Sequence, residues 1–295
     1  MRPLLSGNYR ITVSTENDEG SNVPVIQTYF AIVDRKVSIY PTCTTDTDID
    51  HNNSHQQLSL KIDCSNLLLR DAENEVKVIV LQNRRWDNAV IGPQYTGINN
   101  NTLLWEHCHN LIFEAGNEYR KAEFLSTRYP GMHGESVRWI DPFYHYTMMT
   151  DYPRKNYLYD EDKNGLSVTR YDSNGDADYE ADYVMMHFKL DMPYLPQDQQ
   201  VYVYGQWAGN NLNPTCRMQY NDSEQAYTAD ILMKCGYYNY IYLCAKNDSA
   251  RGYTQPTEGN FFQTENEYDI LVYHKPTGTR YWQLVGCITP IYRNK

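Results

Sequence analysis

"ADYVMMHFKL", residues Ala181–Leu190, alternates without a break. Val184, Met186, Phe188 and Leu190 fall on one side, and Tyr183, Met185, His187 and Lys189 on the other. A period of two marks a strand with one buried face, whereas a helix needs apolar spacings of three and four. The rhythm recurs in both directions along the chain. "NYRITVS" (Asn8–Ser14) sets Tyr9, Ile11 and Val13 against Asn8, Arg10 and Thr12, and "QLSLKID" (Gln57–Asp63) gathers Leu58, Leu60 and Ile62 on one face. No segment of twelve or more residues carries a helical stripe. The turn signals "NDEGSN", "DKNG", "DSNGD" and "PTG" punctuate the strands. The fold class is therefore all-β, and short strands with regular turns predict tandem β-sandwich domains of the immunoglobulin-like, early-set type.

A chain of 295 residues, 41% of them apolar, can form two or three domains with real cores. Its net charge of −11 leaves no basic stripe to follow phosphates, which argues against nucleic acid and against an anionic membrane surface. No apolar run approaches the roughly 18–20 residues of a membrane span, so no direct membrane insertion is expected. No signal peptide follows Met1. The opening "MRPLLSGNYRITVS" reads instead as the middle of a β domain, so the expectation is a truncated start. Three units are expected. Residues 1–34 are the tail of a truncated immunoglobulin-like domain, with two or three strands. Residues 35–178 are a central β domain opening with "KVSIYP". Residues 179–295 are a C-terminal β-sandwich, joined through the acidic linker "YDSNGDADYEAD" (171–182).

Motifs that carry chemistry are few. The linker places Asp172, Asn174, Asp176 and Asp178 at alternate positions, a spacing of hard oxygens that can wrap calcium. Ala177 and Tyr183, however, stand where an EF-hand needs Gly and Glu, and a solvated loop is the plainer reading. "EHCHN" offers His107, Cys108 and His109, without an evident fourth zinc ligand. The seven cysteines include no CxxC pair; Cys235 and Cys244 either bridge adjacent strands or stay free. No nucleophile elbow, HExxH, Walker loop or GxGxxG occurs, and no acid/base pair stands out among 37 Asp and Glu. No catalytic, cofactor or metal residue is assigned, and the chain is read as a binding module, not an enzyme.

The 28 tyrosines are more informative. In "VYVYGQWAGN" (Val201–Asn210), Val201 and Val203 should face the core and Tyr202 and Tyr204 point outward, with Trp207 beyond the turn at Gly205. In "GYYNYIYL", Tyr238, Tyr240 and Tyr242 share a face. Together these six aromatics are candidates for partner contact, since Tyr and Trp anchor recognition surfaces. The alternative is that the face packs against the central domain and Trp207 is a core or interdomain residue.

Seven stretches, in this order, resemble one family: "LQNRRWDNAV" (81–90), "FEAGNEYRKAEFLSTRYPGMHGESV" (113–137), "YDEDKNG" (159–165), "EADYVMMHFKL" (180–190), "VYVYGQWAGN", "MKCGYYNYIY" (233–242) and "EGNFFQTENEYDILVYHKPTGTRYWQLVG" (258–286). The chain is similar to the plug proteins of the type IX secretion system of Bacteroidota, over residues from about 5 to the end. The resemblance implies a periplasmic protein without enzymatic activity or cofactor. Its implied partner is the large outer-membrane translocon barrel, whose periplasmic mouth the plug closes. The last domain also resembles a glycogen-binding sandwich, which makes a glucan-binding module the alternative function. Trp207 stands where that module has the Phe of a Phe-Asn pair, a departure that argues against sugar binding at the turn.

Overall fold

In the computed structural model, which describes residues 3–18, 20–173 and 175–293, fourteen strands of five or more residues carry the fold. They are β1 (Gly7–Glu16), β2 (Asn22–Ile32), β3 (Ser38–Thr44), β4 (His55–Asp63), β5 (Val76–Gln82), β6 (Arg120–Phe124) and β7 (Gly134–Ile140), followed by β8 (Phe143–Met148), β9 (Tyr183–Leu190), β10 (Gln199–Tyr204), β11 (Ala226–Lys234), β12 (Gly236–Lys246), β13 (Asn266–His274) and β14 (Gln283–Ile288). The protein is all-β, as the alternation predicts, and its sheets stack as sandwiches.

The first sandwich packs β3, β4 and the short strands 97–99 and 102–105 against β14, β13 and β5. Leu58, Leu60 and Ile62 from β4 meet Val78 and Val80 from β5 and Tyr268, Ile270 and Val272 from β13 in one core, closed by Trp105 and Phe113. The second sandwich packs β7, β8, β9 and β11 against a sheet centred on β12, with β6 and β10 as its neighbours. Val184, Met186, Phe188 and Leu190, the apolar face read from the sequence, all lie in its core. Each core side chain of this size contributes about 1.5–3 kcal/mol by leaving water.

The boundary expected near residue 178 is not a division of the chain. β8 runs parallel to β9 and pairs with it through Tyr146↔Met186, so strands on both sides of the acidic stretch share a sheet. β13 pairs antiparallel with β5 through Ile270↔Val80, 190 residues apart in sequence. The second sandwich, residues 118–257, is thus inserted between β5 and β13 of the first. Period-two alternation specifies which face of a strand is buried but not which distant strand lies beside it, and the acidic run only looked like a linker. It forms a short helical turn, Ala177–Glu180, capped where Asp176 accepts from the Asp178 N–H at 3.0 Å.

β1 and β2 form a hairpin, and among the described residues they pair only with each other. Tyr9 stacks on Phe30 at 5.2 Å across the strands. The hairpin is tied at its base, where the Tyr273 hydroxyl donates to Asn8 Oδ1 at 2.9 Å. Much of its apolar surface is open, including Tyr29 at 72% exposure.

A fragment of residues 179–295 lacks β5, β6, β7 and β8, and should show no cooperative thermal transition, whereas residues 36–295 should melt cooperatively. A cooperative melt of the isolated fragment would contradict the strand exchange described here.

Candidate functional site

Four of the six candidate aromatics are buried, which corrects the expected outward tyrosine face. β12 is covered on both sides. Tyr238, Tyr240 and Tyr242 point into the second core beside Val201 and Val203. On the opposite side Ile241 and Leu243 pack with Tyr204 and Tyr119. Buried tyrosines need a partner for the hydroxyl. Tyr238 donates to the Lys234 carbonyl at 2.6 Å and stacks flat on Phe124 at 5.1 Å. Tyr240 and Tyr242 both donate to Asp151 Oδ2, at 2.8 and 2.7 Å. Trp207 is half-buried, edge-on to Tyr238 at 5.4 Å. It folds back over Gly205, where a Cβ would lie 1.9 Å from its ring, so this motif needs glycine for close approach. Tyr202 is also half-buried.

What the buried tyrosines serve is a charged joint between the two sandwiches. Glu258, fully buried, accepts from Arg120 Nε at 3.0 Å and Nη2 at 3.1 Å, from Arg154 Nε at 2.6 Å and from the Tyr242 backbone N–H at 2.8 Å. Asp151 accepts from Arg120 Nη1 at 2.7 Å, and His133 Nε2 lies 3.1 Å from the same carboxylate. The Arg120 guanidinium also sits over the Tyr242 ring at 5.3 Å. Burial alone would raise the Asp151 pKa, but the hydrogen bonds and charges of His133, Arg120 and Tyr242 outweigh it and hold the carboxyl below its ordinary value. Burial pushes Tyr240 and Tyr242 well above the usual phenol range, so they remain donors.

The joint lies where the chain passes between sandwiches. The outgoing segment and the returning one are clasped: Asn117 Nδ2 donates to the Glu258 carbonyl at 2.9 Å, and the Phe261 N–H to the Gly116 carbonyl at 2.9 Å. A second grip comes from "LQNRRWDN". Asn83 and Arg84 adopt left-handed backbone (φ 51° and 60°), which Asn tolerates best among residues with a Cβ. The turn projects Arg85 onto Asp87 at 2.6 and 3.1 Å and onto the Gly252 carbonyl at 3.0 Å, beneath the Tyr204 ring. Asn83 meanwhile donates to Asn266 Oδ1 at 2.7 Å.

Two acids here have the raised pKa values often found in active sites. Burial lifts Glu118 to about 7 and Asp162 to about 6. Both oxygens of Asp162 and the Oε1 of Glu118 are already engaged. Glu118 accepts from the Tyr157 hydroxyl at 2.7 Å and the Glu265 N–H at 3.1 Å; Asp162 accepts from the Asn164 N–H at 2.6 Å and from the Tyr119 N–H. The arrangement fixes backbone and does not aim at a substrate. Arg120 and Glu258 lie inside the family-like stretches but carried no separate signal, and Asp151 and Arg154 lie outside them.

The other candidates separate. Cys108 is buried in the first core, while His107 leans outward to Asp48 Oδ1 at 2.8 Å. Asn174 of the calcium reading lies outside the described residues. Near it, Glu180 accepts from the Tyr171 hydroxyl at 2.5 Å. Among the described residues no three His, Cys, Asp or Glu side chains are grouped to hold a metal. All seven cysteines are free; Cys235 sits at the corner between β11 and β12, which belong to opposite sheets, and Cys244 lies further along β12 itself.

The chain is similar to a hypothetical protein from Parabacteroides merdae ATCC 43184, known from a crystal structure at 2.30 Å resolution. The two are 40% identical, the match covers 98% of this chain and 72% of that one, and the TM-score is 0.92. No protein-family model matches the sequence, and no curated protein does.

Replacing Glu258 by Gln leaves Arg120 and Arg154 buried without their counter-charge. It should cost about 3–5 kcal/mol in chemical denaturation, the usual loss on breaking a buried pair. A loss below about 1 kcal/mol, that of an exposed pair, would contradict the joint's role. Glu118 supplies a pH test. Its raised folded-state pKa means the folded protein holds a proton that the unfolded chain releases above its ordinary value. Stability should therefore fall as pH rises from about 4.5 toward 7, then level off. In Glu118→Gln this part of the slope disappears, leaving the variant about 1–3 kcal/mol more stable relative to wild type at pH 7.5 than at pH 4. Parallel melting curves across that range would refute it.

Proposed function

We propose that this chain, which belongs to the family of the crystallised Parabacteroides merdae protein, is a non-enzymatic binding protein of the periplasm that docks on the translocon barrel of the type IX secretion system and closes its periplasmic opening. One observation carries the reading. The stretches that resemble the plug family converge in space, although they are scattered from residue 81 to residue 286. Asn83, Arg85, Glu118, Arg120, Asp162, Tyr204, Tyr240, Tyr242 and Glu258 come from six of those stretches, and all belong to the joint and its two grips. What the resemblance selects is thus the device that makes two sandwiches one rigid body. A plug needs such a body, because it must occlude an opening without yielding. The buried carboxylates in it are satisfied by arginine, tyrosine and backbone donors, which supports a structural use over catalysis. Among the described residues no helix is long and apolar enough to cross a membrane.

Because Trp207 and four of the tyrosines serve the interior, the anchors for a partner must be sought among aromatics that are open. Trp139, on β7 and 56% exposed, is the more open of the two exposed tryptophans, and it is held edge-on by Tyr144 at 4.9 Å. Rigid aromatics of this kind offer contact area with few rotors to freeze.

Tagged protein captured from its native envelope should bring down a large outer-membrane barrel. Trp139→Ala should weaken that capture by about 1–3 kcal/mol without changing the melting temperature, as for a modest hot spot. Trp207→Ala should do the reverse, lowering the melting temperature while the folded fraction still captures the barrel. Recovery of no barrel from an envelope that contains one would reject the reading.

A further inference from the structure

We infer that the second sandwich carries a binding cleft for a neutral oligosaccharide, placed between residues 194–200 and 217–222 and away from the Trp207 turn. The cleft has a volume of about 510 Å³, inside the range of roughly 300–1,000 Å³ usual for ligand sites. This inference is independent of the plug reading, since the cleft shares no residue with the joint or with Trp139.

Three features of the lining define the ligand class. The first is an aromatic platform. Tyr194 is 57% exposed yet held in place, edge-on to Tyr220 at 5.0 Å and parallel to Tyr227 at 6.5 Å. Tyr227 is buried, and its hydroxyl accepts from the Leu195 N–H at 2.9 Å, which pins the segment bearing Tyr194. A fixed ring with an open side suits the apolar C–H face of a pyranose. The second is a chain of pre-set amides. The Tyr202 hydroxyl donates to Gln200 Oε1 at 2.7 Å, Gln200 Nε2 donates to Asn247 Oδ1 at 2.8 Å, and Asn247 Nδ2 donates to the Gln197 carbonyl at 3.1 Å. Each carboxamide has two donors and an acceptor, so after these bonds Gln200 and Asn247 still offer capacity of both kinds. Sugar hydroxyls also donate and accept, and so fit a wall of amides better than a wall of charges. The third is charge. Arg217 and Asp222 line the cleft with opposite signs, leaving no net field to select an ionic ligand. Orienting the amides before binding reduces the side-chain entropy lost on association.

The test is calorimetry on the whole chain with maltoheptaose, cellohexaose, mannohexaose and xylohexaose. At least one should bind saturably. Tyr194→Ala should weaken that binding tenfold or more, and Tyr194→Phe, which keeps the ring, should stay within a few-fold of wild type. The melting temperature should not move in either variant, because Tyr194 is mostly outside the core. The inference is overturned if none of the four sugars binds more tightly than about 10 mM. It is equally overturned if a sugar binds and Tyr194→Ala, still folded, binds it as well as wild type.

Discussion

Glu258 is the constraint from which the rest of the structure follows. A carboxylate with no exposed surface is costly unless its charge and all its lone pairs are met. Here the carboxylate sits on the return crossing and its donors all come from the second sandwich: Arg120 from the strand that enters it, Arg154 from the loop beyond β8, and the backbone of Tyr242 from its central strand. No one of these groups satisfies the carboxylate alone. The return crossing must therefore seat on the second sandwich in one place before the charge is tolerable, and the clasp of Asn117 and Gly116 on Glu258 and Phe261 carries that constraint to the outgoing segment. A joint built from neutral apolar contacts would accept several orientations with small differences in energy; a bidentate arginine on a buried acid does not.

The same geometry explains the tyrosines. β12 is buried on both faces along nearly its whole length, and an ordinary sequence solution would be Val, Ile and Leu. Tyr240 and Tyr242 appear instead because their hydroxyls reach Asp151, the second acid of the joint. Their rings fill the core and their tips neutralise a polar edge of it. Asp151 also receives Arg120, so one guanidinium ties both acids together. Cooperative networks of this kind rigidify when complete.

Much of the fold was legible in the sequence, and the reason is local. The alternation in Val184–Leu190 and in Leu58–Ile62 assigned the strands and their buried faces, and the core contains those residues. Strand partners were not legible. The pairing of β13 with β5 depends on contacts between residues far apart in the chain, and a period of two says nothing about them. The tyrosine face failed for a related reason. Alternation in "VYVYGQW" places Tyr204 opposite Val203, and it does lie opposite; what lay beyond it, Arg85 on a turn more than a hundred residues earlier, left no local trace. Arg120 and Glu258 were among residues singled out for resemblance, yet nothing marked them as partners, because an ion pair has no sequence spacing.

This division also locates where function can vary. The joint uses its charged and hydroxyl groups on one another, so an altered residue there changes the stability of the body before it changes any surface. The open features are elsewhere: the hairpin of β1 and β2, Trp139 at a sheet edge, and the Tyr194 cleft. None of them contributes a side chain to Glu258 or Asp151. A change at one of these places therefore leaves the orientation of the sandwiches unaltered, and its effect on binding should add to, not multiply, an effect at another, as holds for sites that share no partners. A rigid frame with separable surfaces lets a binding protein change what it holds without changing how it folds. The converse also follows: aromatic content by itself identifies neither frame nor surface, and only the partner of each ring, an interior acid or open solvent, tells which it is.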